Sequence, residues 1–262
     1  MELIEIQRRI KNAKNLDFGT LFNQSIELFK KVWVQGLVTL LLNMVLAIPV
    51  MMIVYIPLIF MGLVDAYGSN NDPFDFSSQS ELSPIMIIAM VIVYLFLIIA
   101  MSTISFGLKA AFYRICRLKD LEQMGKEDYF YFFKKPYLAK TMKLGLVFSG
   151  ISMLAALFCV LPIIYVIVPL SLMIVIYAFN PEMSISDIVK LGFDLGNKKW
   201  LITFGLMFVS GFLAGIIGML MCGIGIYVTA SFSYLPPYFI YKDVIGFGEE
   251  DEIQQLEENS GL

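Results

Sequence analysis

From Leu144 to Phe179, and again from Trp200 to Tyr241, the sequence contains no Asp, Glu, Lys or Arg. Each run exceeds the about 20 apolar residues that a helix needs to cross ~30 Å of hydrocarbon. A chain carrying two such stretches must bury them in lipid, because a soluble core has no room for them. Composition agrees: 58% of the 262 residues are hydrophobic and 16% charged, where soluble domains carry about 25% charged residues. The reading is a polytopic, all-α membrane protein.

Three short echoes mark where the chain enters the bilayer: Phe29-Lys30-Lys31-Val32-Trp33, Phe133-Lys134-Lys135-Pro136-Tyr137 and Asn197-Lys198-Lys199-Trp200. Lysine prefers the cytoplasmic headgroup layer, and tryptophan or tyrosine the edge of the hydrocarbon. Lys30, Lys31, Trp33, Lys134, Lys135, Tyr137, Lys198, Lys199 and Trp200 are therefore the candidate lipid and interface anchors, with anionic phospholipid headgroups as their partner. Aligning Ser25–Trp33 with Gly192–Trp200 matches Leu28 to Leu195, Lys31 to Lys198 and Trp33 to Trp200. The pattern suggests an internal parallel repeat, with each membrane hairpin preceded by an interfacial amphipathic helix.

The predicted spans are 33–64, 84–108, 144–161, 163–179, 200–221 and 226–241, paired as three hairpins. Stripes such as Phe18, Phe22, Ile26 and Phe29 predict the surface helices. Pro49 and Pro57 predict a kink or a break in the first span. Ser184 followed by Asp187 reads as a helix cap, and Leu161-Pro162 as the turn between spans three and four. With both termini cytoplasmic, all 19 Lys and Arg fall on one side, as the positive-inside bias requires. Residues 1–247 form a single integral domain and 248–262 an acidic, disordered tail. Nothing at the start of the chain resembles a cleaved signal peptide.

The functional signals are thinner. The sequence has no histidine, which removes the commonest general base and metal ligand. No lysine or carboxylate falls inside a predicted span, and such residues usually mark proton relays and ion-coupled transport. Asn43, the most polar mid-span residue, reads as helix–helix glue. Cys116, Cys159 and Cys222 form no paired motif and read as small buried hydrophobes. No catalytic, metal or cofactor site is expected, and no nucleic acid. Ser210, Ala214, Gly218 and Cys222 recur at four-residue spacing beside Gly211 and Gly215. Gly211, Ala214, Gly215 and Gly218 are thus candidates for close helix packing, within the bundle or between copies.

Gly223-Ile224-Gly225 with Thr229, then Pro236-Pro237-Tyr238, Tyr241-Lys242-Asp243 and Gly246, resemble the end of a bacterial family. Its members are six-span proteins similar to the membrane domain of glycerophosphoryl diester phosphodiesterases. The likeness covers about the last 80 residues well and the rest in outline. It implies a bacterial inner-membrane module. The family's phosphodiesterase activity belongs to a separate soluble barrel with no counterpart here, so no catalysis is implied. Two functions fit these readings: a non-catalytic scaffold or accessory subunit, working with another membrane protein or by self-association; or a transporter or lipid-handling protein without ion-coupling residues.

Overall fold

The computed structural model describes residues 2–69, 84–158, 160–221, 223 and 225–247, all of them helix, turn or loop. The helices are α1 (Leu3–Lys11), α2 (Phe18–Ser69), α3 (Pro84–Asp120), α4 (Lys135–Leu157), α5 (Val160–Phe179), α6 (Ile185–Lys198), α7 (Trp200–Leu220), α8 (Gly225–Thr229) and α9 (Leu235–Val244), with 3-10 turns at Tyr131–Phe133 and Ala230–Tyr234. Five segments are long and apolar enough to cross a membrane: Phe18–Ile53, Met90–Asp120, Lys135–Leu157, Leu161–Phe179 and Trp200–Leu220. By length and composition this is a multi-pass membrane protein. The expected tail 248–262, and Cys159 and Cys222, lie outside the described residues.

Four boundaries differ from the sequence expectations. The surface helix 18–31 and the first span are one helix, because nothing between Lys31 and Trp33 breaks the backbone; only the polarity of the side chains changes. The same helix continues through positions 49 and 57, so neither proline breaks it. The second span does not stop at Leu108 but runs on to Asp120, through a segment free of Gly and Pro. The middle echo follows a loop and a 3-10 turn rather than an amphipathic helix.

The fourth difference lies at 226–241, where α8, a 3-10 turn and α9 replace a single helix. Pro236 and Pro237 occupy the first positions of α9. There their missing N–H groups cost nothing, whereas inside a continuing helix each would remove a hydrogen bond. The third echo matches its expectation closely. Ser184 caps α6, its Oγ accepting from the Asp187 amide at 3.1 Å, and α7 starts at Trp200. The proposed repeat is therefore broken by a cap at Lys199 in one copy and continuous in the other.

Burial is concentrated at one end of the bundle. Leu172 through Ala178 of α5 and Leu235 through Tyr241 of α9 are all buried, as is most of α3 from Phe106 to Cys116. Tyr177, Phe132 and Phe106 pack together there, with Phe132 and Tyr177 centroids 4.7 Å apart. The other end is apolar and open: Val45, Ile53 and Ile59 of α2, Val91 and Ile92 of α3, Leu157 of α4 and Leu161 of α5 are all more than half exposed. Lipid tails are as apolar as leucine, so helices inside a bilayer gain little by covering such side chains.

Glycines set the closest approaches. A side chain at Gly196 of α6 would lie 2.8 Å from the Pro169 backbone of α5, and one at Gly145 of α4 would lie 3.0 Å from the Ser102 backbone of α3. The chain after α7 folds back along it. Ile226 sits against Gly218, and Thr229 donates to the Ala214 carbonyl at 2.7 Å. Tyr238 and Lys242 of α9 then reach Asp120 at the end of α3, at 2.7 and 2.6 Å.

Candidate functional site

A polar seam runs between α2 and α3. At its outer end Lys31 pairs with Glu122 at 2.8 Å. One turn along α2, Gln35 donates to Glu127 at 3.1 Å, and Glu127 pairs with Lys119 at 2.7 Å. Two turns further, Asn43 donates to Ser105 at 3.0 Å. Thr39 lies between these layers on α2, and Lys109 lies one turn from Ser105 on α3. Lys109 thus belongs to the interior of an apolar helix, within the segment Met90–Asp120. Lys109 lies one residue beyond the expected span 84–108, on the same helix, which continues to Asp120.

Lys109 stands where two cavities meet. One, of about 260 Å³, is the more polar of the two: Thr39, Asn43, Ser105, Ser231 and Tyr234 reach it beside Lys109, with Leu40, Met44 and Phe112 completing its wall. The other, of about 590 Å³, lies among α3, α4, α5 and α7 and is walled mainly by Phe148, Ile163, Leu170, Phe204 and Phe208. Lys109 and Tyr234 border both. The ammonium sits 4.8 Å from the centre of the Tyr234 ring, a contact that attracts a cation without neutralising it. No acidic residue lines either cavity, and no described carboxylate forms a salt bridge with Lys109. Ser231, only 2% exposed, keeps a buried hydroxyl oxygen without a hydrogen-bond partner among the described residues.

Such a site favours an anion beside an apolar group. An ammonium offers three donors and no acceptor, and the hydroxyl and amide groups around it can fill the remaining positions of a charged headgroup. The larger cavity has the size and lining of small-molecule pockets, which run ~300–1,000 Å³. Among the described residues no group of His, Cys, Asp and Glu is placed to hold a metal ion.

The lysine–aromatic echoes are near the surface but are not equivalent. Lys30 pairs with Glu27 at 2.6 Å and Lys134 with Asp128 at 2.5 Å; Lys135 and Lys198 are exposed. Trp33 is 43% exposed on α2. Trp200 donates its indole N–H to the Tyr165 carbonyl at 3.0 Å and stacks on Phe204. Tyr137 stacks on Tyr131, the two hydroxyls 3.2 Å apart. Lys199 departs from the expected role. It is 7% exposed, and its ammonium donates to the carbonyls of Ala13 and Lys14. Burial pulls its pKa below the ordinary lysine value.

The small-residue stripe serves the interior of the bundle. Ser210, Ala214 and Gly218 are buried against the returning 225–234 segment. Gly211 faces Ser233 at 3.9 Å, whereas nothing lies within 4 Å of a side chain at Gly215. Sequence reasoning missed Lys109 because it stands where hydrophobicity falls off, and missed Ser231 and Tyr234 because their segment reads as one apolar span. The four-residue spacings Thr39/Asn43 and Ser105/Lys109 are the signal that pairs them.

No family model, no curated protein and no solved structure matches the chain.

Proposed function

We infer that this protein handles lipid: it holds an anionic amphiphile in the membrane, the charged group at Lys109 and the apolar chain in the larger cavity. The observation that carries the reading is a lysine inside an apolar helix, without an acidic partner, at the junction of a polar cleft and a roomy apolar cavity. An intramembrane ionisable residue is by default a functional one. The role is one of binding and passage rather than catalysis, in keeping with a cavity lined by one cation and hydroxyl groups.

The chain is read as crossing the bilayer six times, in three hairpins with both ends on the cytoplasmic side of a bacterial inner membrane. Support for the sixth crossing comes from the path of residues 225–244, which runs antiparallel to α7 and ends beside Asp120. Lys30, Lys135 and Lys198 then face anionic headgroups. Thiol labelling of cysteines placed at Glu2 and at Gly223 tests this arrangement. The reading expects opposite sidedness, and equal labelling from one side overturns it.

Native mass spectrometry after gentle extraction tests the ligand. The wild-type chain should retain a stoichiometric anionic lipid or fatty acid, and Lys109→Gln should release it. Equal retention by both overturns the assignment to Lys109. Recovery of a stoichiometric protein partner and no lipid would return the weight to a scaffold or accessory subunit, whose partner would cover the exposed apolar face of α2.

A further inference from the structure

The 3-10 turn Ala230–Tyr234 carries two serines in opposite states. Ser233 donates its hydroxyl to the Ala230 carbonyl at 2.8 Å. Hydroxyls in the apolar helices do likewise with the carbonyl one turn back: Thr39 with Gln35 at 2.8 Å, Ser102 with Ile98 at 2.6 Å and Ser171 with Ile167 at 2.7 Å. Ser231 is 2% exposed and makes no such bond among the described residues. A buried hydroxyl left unpaired destabilises the fold unless something else accepts from it. Ser210 also lacks a partner but lines neither cavity at Lys109, whereas Ser231 lines the smaller one.

A close approach fixes its position. Ser231 is pressed against α2 at Gly36, where an added side chain would come within 2.1 Å of its Oγ and 2.4 Å of its Cβ. Glycine inside a helix is destabilising relative to alanine; at position 36 it makes the room that seats Ser231. The other small hydroxyls of this cavity are engaged, Thr39 on the Gln35 carbonyl and Ser105 with Asn43, which donates to it at 3.0 Å. Lys109 supplies a charged donor and Ser231 a neutral one, a pair to which an anionic oxygen can accept and a cation cannot.

The larger cavity limits the tail. A water takes about 30 Å³ of liquid and a methylene is of similar size. The cavity of about 590 Å³ therefore holds roughly 20 chain carbons. That is one acyl chain, where an ordinary phospholipid brings two.

We propose, resting on the lipid-handling reading, that the ligand is a single-chain lipid with an oxyanion head, a fatty acid or a lysophosphatidate. The head accepts from the Ser231 hydroxyl as well as from Lys109.

The test uses the full chain, stripped of lipid in a neutral maltoside detergent and titrated with palmitate, oleoyl lysophosphatidate and dioleoyl phosphatidate. Bound lipid is counted by native mass spectrometry. A single-chain lipid should bind one to one and about tenfold more tightly than dioleoyl phosphatidate; whichever of the two binds tighter identifies the head. Ser231→Ala should weaken that binding about tenfold, as for loss of one hydrogen bond to a charged group. Its lipid-free unfolding midpoint should stay level or rise, because the unpaired buried hydroxyl is gone. A merely structural serine would move the midpoint and not the binding. Ser102→Ala, which removes a hydroxyl already bonded to its own helix and outside both cavities, should leave binding unchanged. Equal binding of dioleoyl phosphatidate overturns the single chain, and undiminished binding by Ser231→Ala overturns the serine contact. In either case the lipid reading stands if Lys109→Gln still releases the lipid. Retention of none of the three lipids by the wild-type chain overturns the lipid reading, and this proposal with it.

Discussion

Thr141 of α4 and Tyr177 of α5 share a hydrogen bond of 2.7 Å inside the aromatic core, where Thr141 also reaches the carbonyls of Phe132 and Tyr137 at 3.0 Å. A hydroxyl has one proton to give, so Thr141 accepts from Tyr177 and donates to a carbonyl. Thr141→Val keeps the shape and strands the Tyr177 hydroxyl in a fully buried place. The expected cost is about 1–3 kcal/mol, read as a lower unfolding midpoint in detergent. A midpoint equal to wild type would mean that the two hydroxyls are not linked.

The two glycines of α7 that sequence spacing groups together should part company. At Gly218 a side chain would lie 2.6 Å from Ile226, with the Ile226 backbone at 2.7 Å, while nothing lies within 4 Å at Gly215. Gly218→Val should therefore destabilise by about 1–3 kcal/mol through overpacking. Gly215→Ala should be neutral or stabilising by up to about 1 kcal/mol, since alanine is the better helix former. Unfolding curves of the two variants in mixed micelles decide it.

Lys198 and Lys199 are neighbours with opposite surroundings, which amine acetylation followed by peptide mass spectrometry can read. Lys30, Lys135 and Lys198 should react readily. Lys199, buried and donating to the carbonyls of Ala13 and Lys14, should react at least tenfold more slowly. Comparable labelling of Lys198 and Lys199 would show that the inward position is not held in solution.

Acid should loosen the loop between α3 and α4. Glu127 is held below the usual carboxylate range, first by the Lys119 ammonium and then by Gln35; the Lys31 ammonium does the same for Glu122. A carboxyl lowered on folding stabilises at pH above its unfolded value, near 4.5, and that contribution fades as pH falls through the lower folded value. Hydrogen exchange of residues 121–134 should therefore quicken between about pH 5 and pH 3. Glu127→Gln should flatten that response.

Much of the architecture is written in the chain because lipid imposes simple demands on length and charge. The start of α7 at Trp200 and the cap at Ser184 follow from local chemistry that acts within one helical turn. The turn expected at Leu161-Pro162 falls earlier, α4 being capped at Phe158 and α5 already containing Leu161 and Pro162. Continuity of α2 through Trp33 was not legible, since a helix crosses from water to lipid without any change in its backbone. The break at 230–234 was hidden for a related reason: Pro236 and Pro237 can end one helix or begin the next, and packing against α7 decides which. Lys109 needed α3 to be longer than its apolar run. The candidate site emerged only once the register of Asn43 with Ser105 was known.

Arg9 donates to the carbonyl of Ile245 at 2.8 Å, across 236 residues of sequence. Ribosomes add about 5–20 residues per second, so the first helix waits on the order of 10–50 s for the segment that completes its seat. During that interval Ile6 and Ile10, both buried in the finished protein, gain their first cover from α6, against which α1 packs. A chain stopped just before that segment keeps the packing of α1 on α6 but lacks the Arg9 bond that ties α1 to the end of α9. The amino-terminal helix therefore reaches its final seat only when nearly all of the described chain has been made.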